Sequence, residues 1–393
     1  LDIITKRYYM KNITTFIAEK TNGKSFHSHK YCHDVINIPK IEYEDNDDNR
    51  SSFSILHSGE TIKYDNTINL APKAKELIDN NIQPLFKYFL DGSRHTYKID
   101  DISYNNEVFP ILAGQIGVGC LERNNKSVKP LKLKRSNILV LPDRAKNNDW
   151  DGEYAFQHLN GGINKLMKMG IKIDKILPYK TSNNKLEDIE NSGIAKIQSE
   201  MINEEKEMVK DLVSQRFLNQ DQYLLKDGSL EYSVDEMQSE KEINIFRNNY
   251  HYVVGASKSF NPAICKDKKG RINTHQISTL PLYHRTPVLM FESERIRHFK
   301  FAIWYVRIRD SKYTTNILDG VLKLEQILVT DGQLENGMDS EIVDLISANI
   351  INERNPVCYA SDSRWANHLY PIYLTELFVK SKYISNTMFI NLF

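Results

Sequence analysis

Hydrophobic and polar positions alternate or cluster differently along this chain, and the changes mark its elements. "LAPKAKELIDNN", with Pro72 in the first turn and Asn80–Asn81 at the end, predicts a short helix. From Phe86 the pattern turns to strands. "LFKYFLDGS", then "EVFPILAGQIGVGCLER" (107–123), then "SNILVLP" (136–142) are rich in strand formers and separated by polar breaks. Three successive strands without an intervening helix predict an antiparallel meander. "YAFQHLNGGINKLMKMG" has helical character interrupted by Gly161–Gly162, and "IKIDKILPY" is strand-like. Residues 194–217 give the strongest helical signal: Ile194, Ile197, Met201, Met208 and Leu212 recur every three or four residues. The gap in that stripe, at 204 or 205, is filled by glutamate.

"QYLLKDGSL" then reads as strand and turn, "SEKEINIFRNNY" as helix and "HYVVGASKSF" as strand. "VLMFESERIRHFKFAIWYVRIR" has the pattern of a hairpin, "DGVLKLEQILV" of a strand and "SEIVDLISANIINE" of a helix. The tail, "YPIYLTELFVKSKYISNTMF", predicts a helix opening at Tyr-Pro. Strands and helices mixed in this way place the chain in the α/β class.

The 393 residues suffice for one large domain with insertions or for two or three of common size. Apolar residues make up 40 % and aromatics 10 %, which rules against global disorder. Lys and Arg number 52 against 51 Asp and Glu, a formal charge of +1, so the chain has no general basic coat. A local basic groove remains compatible with that balance. Cys32, Cys120, Cys265 and Cys358 form no CxxC and read as reduced thiols. No charged-then-apolar leader follows Leu1, and runs such as "FAIWYV" are too short to span a bilayer. The expectation is a soluble, cytoplasmic protein with no membrane segment.

The candidate chemistry begins at Asp-Gly, which occurs at Asp91, Asp151, Asp227, Asp319 and Asp331 and is first of all a turn signal. Asp91 and Asp227 differ from the others: each follows an apolar strand and precedes Ser. Strand ends are where an α/β sheet presents side chains to a cleft. Mg²⁺ and Mn²⁺ take oxygen ligands, often one or two carboxylates with phosphate and water. Two strand-end aspartates and an inward glutamate would supply that set. Glu204 sits on the apolar stripe of the long helix, where a charge is costly unless paired or metal-bound. Glu200, one turn earlier, is its close competitor.

Strand-DGS, meander, long helix with Glu, strand-DGSL, a strand with Lys258 in "GASKSF", and the C-terminal "YPIYLTELFVKSKYIS" together resemble the NurA nuclease family. The resemblance covers roughly residues 85–393. It implies an RNase H-like mixed sheet flanked by helices, with additional strands, and Mn²⁺- or Mg²⁺-dependent cleavage of DNA. It further implies a homodimer working beside a HerA-type hexameric ATPase, in DNA end processing or antiviral defence. Asp91 and Asp227 then match the family aspartates as catalytic metal ligands, and Glu204 or Glu200 takes the helix glutamate's place. Lys258 matches the lysine of the later strand, as a phosphate contact, and Tyr370 with Pro371 matches the family Tyr-Pro. The family often has a histidine after that Tyr-Pro; around Leu377–Phe378 there is none, and His368 is the substitute at hand. On this reading residues 1–80 form an N-terminal extension for partner docking and 81–393 the nuclease domain.

Other patterns add less. "HSHKYCH" (His27, His29, Cys32, His33) matches no zinc spacing, and "GQIGVGCLE" reads as small residues for close packing inside a strand. The sequence has no GxxxxGK[ST] loop, so ATP hydrolysis is expected of a partner. Basic clusters at Lys129, Lys132, Lys134 and Arg135, at Lys266, Lys268, Lys269 and Arg271, and at Arg295, Arg297 and Lys300 are candidates for tracking phosphates. Two rival readings stand beside the nuclease: a non-catalytic DNA-binding scaffold of such an ATPase, and an Argonaute-type slicer.

Overall fold

The computed structural model describes residues 12–34, 53–146, 152–167, 170–181, 186–231, 239–262, 265, 267, 271–293, 299–356 and 363–393. Of the features named above, Asp151, Cys358, Lys266, Lys268, Lys269, Arg295 and Arg297 lie outside these residues.

The described chain opens with helix α1 (Ile13–Lys20), strands β1 (Lys24–Phe26), β2 (Tyr31–Cys32), β3 (Phe53–Ser58) and β4 (Ile68–Asn69), and helix α2 (Ala71–Asp79). The long strands β5 (Phe86–Tyr104), β6 (Glu107–Asn124) and β7 (Ser127–Pro142) follow, then α3 (Gly152–Leu166), β8 (Lys175–Tyr179), α4 (Leu186–Ser214) and β9 (Tyr223–Asp227). Next come α5 (Glu240–Asn249), β10 (Val253–Ser257), α6 (Thr274–Ser278), β11 (His284–Arg285), β12 (Leu289–Ser293), β13 (Lys300–Arg307) and β14 (Val321–Ile327). Helices α7 (Asp331–Asn336), α8 (Ser340–Asn352), α9 (Tyr370–Lys380) and α10 (Asn386–Ile390) close the chain.

The strands make one mixed sheet in the order β3-β12-β13-β14-β10-β9-β5-β6-β7-β8, so the fold is α/β with helices on both faces. Its centre is the expected meander. Asn105 (φ 54°) and Asn125 (φ 56°) take the left-handed backbone that two-residue hairpin loops require. β9 runs parallel to both β5 and β10, whereas β12, β13 and β14 are antiparallel neighbours. β1 and β2 pair with the distal half of β5, and β3 pairs with β12, so the described parts of residues 1–80 extend the same sheet.

Two expectations change. Asp91-Gly92 does not end a strand: β5 continues through it to Tyr104, paired to β6 as Asp91↔Gly119 and Gly92↔Val118. The partner strand ends instead, since β9 stops at Asp227 while β5 goes on. Gly161–Gly162 does not interrupt its helix either. α3 runs through both, and a Cβ at Gly162 would stand 2.5 Å from Phe16 Cζ, so the glycine admits the α1 side chain.

Alternation along β6 assigns the two faces. A Cβ at Gly114 would meet Ile197 of α4 at 2.8 Å, whereas one at Gly119 would meet Val379 of α9 at 2.5 Å. The glycines of "GQIGVGC" therefore let a helix close on each side. α4 buries Ile194, Ile197, Met201, Val209 and Leu212 over β5 and β6; each such side chain contributes about 1.5–3 kcal/mol. On the α9 face Trp304 of β13 is fully buried, and its Nε1 donates to Ser347 Oγ of α8 at 2.9 Å. Cys32, Cys120 and Cys265 are buried and unbridged. No helix among the described residues is long and apolar enough to cross a membrane.

Candidate active site

The parallel register of β5 and β9 pairs Leu90 with Lys226. Asp91 and Asp227 come next, on strands about 4.8 Å apart, and both point to the α9 face. β10 pairs Ala256 with Asp227, so Lys258, two residues on, reaches the same face. Its Nζ lies 2.9 Å from Asp227 Oδ2 and 4.0 Å from Glu376 Oε2 of α9. The cluster thus stands where the β5–β9 ladder stops, under the C-terminal half of α9.

Asp91 is 4 % exposed, and among the described residues its carboxylate accepts no hydrogen bond and forms no ion pair. Burial, and then the Asp227 charge, push it well above the ordinary carboxylate range, against the pull of Lys258; Glu376 and Glu205 add to the rise. Burial alone would push Lys258 down, but Asp227, Asp91 and Glu376 together raise it above the ordinary lysine value. At neutral pH Lys258 is a cation held among carboxylates.

The helix carboxylate that reaches this corner is Glu205. α4 crosses the opposite face, and Glu205 Oε2 pairs with Lys226 Nζ at 3.0 Å, both side chains being buried. A Cβ at Gly92 would stand 3.1 Å from Glu205 Cδ and closer still to Oε1, so glycine is what admits this carboxylate to the strand. Lys226 also donates to the carbonyls of Asp227 (2.7 Å) and Ser229 (3.3 Å), and so fixes the turn that presents Asp227. Burial raises Glu205 above the ordinary glutamate value, against the pull of Lys226.

The glutamates expected from the sequence lie elsewhere. Glu204 accepts from Ser136 Oγ of β7 and stands 3.9 Å from Lys134 Nζ. Glu200 pairs with Lys175 Nζ of β8 at 2.6 Å. Both follow from the breadth of α4's buried face, which spans five strands from β9 to β8: 200 looks toward β8, 204 toward β7, 205 toward β5 and β9. Tyr370 opens α9 with its side chain exposed, about 9 Å along the helix axis from Glu376. His368 is buried before α9 and stacks on Tyr373 with ring centroids 5.8 Å apart.

Glu376 and Lys226 escaped the sequence reading. Lys226 did carry a signal: a lysine inside an apolar strand, one position before Asp227, must face away from it and find an acid. Glu376 carried none, since an acid on a helix ordinarily reads as solvated.

The chemistry of the donors suits a hard divalent cation. Asp91, Asp227 and Glu376 offer only carboxylate oxygens on one face, and Asp91 has its lone pairs unused. As the side chains stand, no group of three or more His, Cys, Asp or Glu among the described residues is arranged to hold a metal ion. Lys258 stands between Asp227 and Glu376. Two aspartates with water and substrate phosphate nonetheless match the usual Mg²⁺ environment. The histidine-rich segment is committed otherwise: His27 Nδ1 lies 3.0 Å from Asp100 and His33 Nε2 3.1 Å from Glu190.

No family model matches this sequence, and no curated protein does. Among solved structures the chain is similar to the NurA nuclease from Sulfolobus solfataricus, at 11 % identity over 79 % of this chain and 86 % of that one, with a TM-score of 0.40.

Proposed function

We propose that this chain is a Mn²⁺- or Mg²⁺-dependent DNA nuclease whose metal ligands are Asp91 and Asp227, with Glu205 and Glu376 as flanking carboxylates. The observation that carries the reading is Asp91: a buried carboxylate without a hydrogen bond, beside a second aspartate on the adjacent strand. A buried charge of this kind is costly unless a cation compensates it. A divalent ion bound there would supply an activated water and charge stabilisation at the leaving oxygen. The protein's own residues do the rest. Lys226 pins the turn after β9 and so aims Asp227. Lys258 holds a positive charge at the rim and neutralises the scissile phosphate as substrate replaces Asp227 and Glu376 around it. Glu205 keeps Lys226 charged and in place.

The wider assignment rests on the order of sequence elements: a homodimer acting with a HerA-type hexameric ATPase, in DNA end processing or antiviral defence. The test of the core claim is cleavage of end-labelled DNA by the purified protein in Mn²⁺ and in EDTA, with Asp227→Asn alongside. The reading expects cleavage in Mn²⁺ only, and its loss in a folded Asp227→Asn. Cleavage by that variant at the wild-type rate would rule the mechanism out. One observation favours a second reading, a DNA-binding scaffold without catalysis: Lys258 already neutralises Asp227 at 2.9 Å. DNA binding with no cleavage in any divalent ion is its signature.

A further inference from the structure

The basic run on β7 divides between the two faces of the sheet. Lys132 pairs with Asp211 and Lys134 lies 3.9 Å from Glu204, so α4 neutralises both. Arg135 points the other way, in the row Arg135–Gly117–Ser93, on the face that carries Asp91. Its Nη1 donates to the carbonyl of Lys382, just beyond α9. Together with Lys172 and Lys382 it lines a recess of about 370 Å³, floored by Gln115, Asn137 and Ile384, with Tyr383 on the wall. All three cations are exposed, and among the described residues none is in an ion pair. Other exposed lysines are paired: Lys175 with Glu200, Lys210 with Glu207 and Lys380 with Glu376. Among the described residues the one carboxylate lining the recess, Asp174, accepts from the Asn137 backbone N–H at 2.7 Å.

Tyr383 joins this recess to the candidate active site. Its ring packs on His95 at 4.8 Å between centroids, and its hydroxyl would stand 3.2 Å from a Cβ at Gly117, one strand across and two residues along from Asp91. Four residues along β5 and two strands across separate the recess from Asp91, roughly 16 Å, a reach of a few nucleotides.

We propose that Arg135, Lys172 and Lys382 bind the phosphate backbone of a single DNA strand whose neighbouring segment enters the Asp91–Asp227 site, with Tyr383 as the aromatic wall. Unpaired cations beside an aromatic are the recognition chemistry of single strands. The inference rests on the nuclease reading and adds to it the path of the substrate.

Fluorescence anisotropy in EDTA, where no cleavage occurs, tests it with a labelled single-stranded oligonucleotide and a duplex of the same sequence. Arg135→Ala/Lys382→Ala should bind the single strand about tenfold more weakly, with a log–log salt slope shallower by about 1.4. Lys210→Ala, which removes a cation paired with Glu207 outside the recess, should bind like wild type. Equal binding by the double variant and wild type overturns the inference; if wild type still cleaves in Mn²⁺, the proposed function survives it. Wild type that neither binds nor cleaves overturns both. Tighter binding of the duplex than of the single strand overturns the single-strand assignment.

Discussion

Lys226 and Asp227 are adjacent in the chain and serve opposite faces of one sheet: Lys226 Nζ pairs with Glu205 at 3.0 Å on the α4 side, and Asp227 Oδ2 with Lys258 at 2.9 Å on the α9 side. The pair of ion pairs brackets the end of β9. Breaking a buried pair by removing one partner costs about 3–5 kcal/mol. Lys226→Met should therefore lower unfolding stability by that order in urea titration. Glu205→Gln/Lys226→Met should lose less than the two single losses together, because the second removal leaves no uncompensated charge. Strict additivity in this double-mutant cycle would show that the two groups do not interact.

Glutamate identity gives a sharper contrast. Glu205→Gln should reduce cleavage at least tenfold, since it releases Lys226 and the turn that aims Asp227. Glu204→Gln, whose partners are Ser136 and Lys134, should leave cleavage within about threefold of wild type. Relative rates under single-turnover conditions decide between them, and the reverse ranking contradicts the geometry.

Gly92→Ala places a methyl 3.1 Å from Glu205 Cδ, against a side chain held by a buried lysine. Overpacking of this sort costs about 1–3 kcal/mol. Chemical denaturation should show that loss; a change below about 0.5 kcal/mol would mean that Glu205 has room to move.

These contacts also show what the sequence made legible. The meander, the long helix and the two DGS strands were readable because strand formers, helical stripes and turn residues are local signals. The continuation of β5 past Asp91-Gly92 was not: Asp-Gly is locally a turn, and only the pairing with Gly119 and Val118 of β6 keeps it extended. Positions 204 and 205 fit the stripe of α4 equally, and the choice between them depends on where Lys226 lies across the sheet. Glu376 depends wholly on the docking of α9 over Gly117 and Gly119.

Stability in EDTA should depend on pH through Asp91. Its folded-state value is raised by burial and by Asp227, above the unfolded value near 3.8. The folded protein therefore holds that proton more tightly, and the contribution of Asp91 to stability falls as pH rises from about 4 toward the raised value. Asp91→Asn removes this loss. The stability difference, variant minus wild type, should grow as pH rises above about 4, measured by urea unfolding. A difference that shrinks over that range has the wrong sign for a buried, unpaired acid.

The most direct measurement is Mn²⁺ binding to the DNA-free protein by isothermal titration, for wild type, Asp91→Asn and Asp227→Asn. Saturable binding by wild type, weakened at least tenfold in each variant while their unfolding curves remain cooperative, is the predicted result. Equal Mn²⁺ affinity in all three proteins would contradict the assignment of these two aspartates as the metal-binding pair.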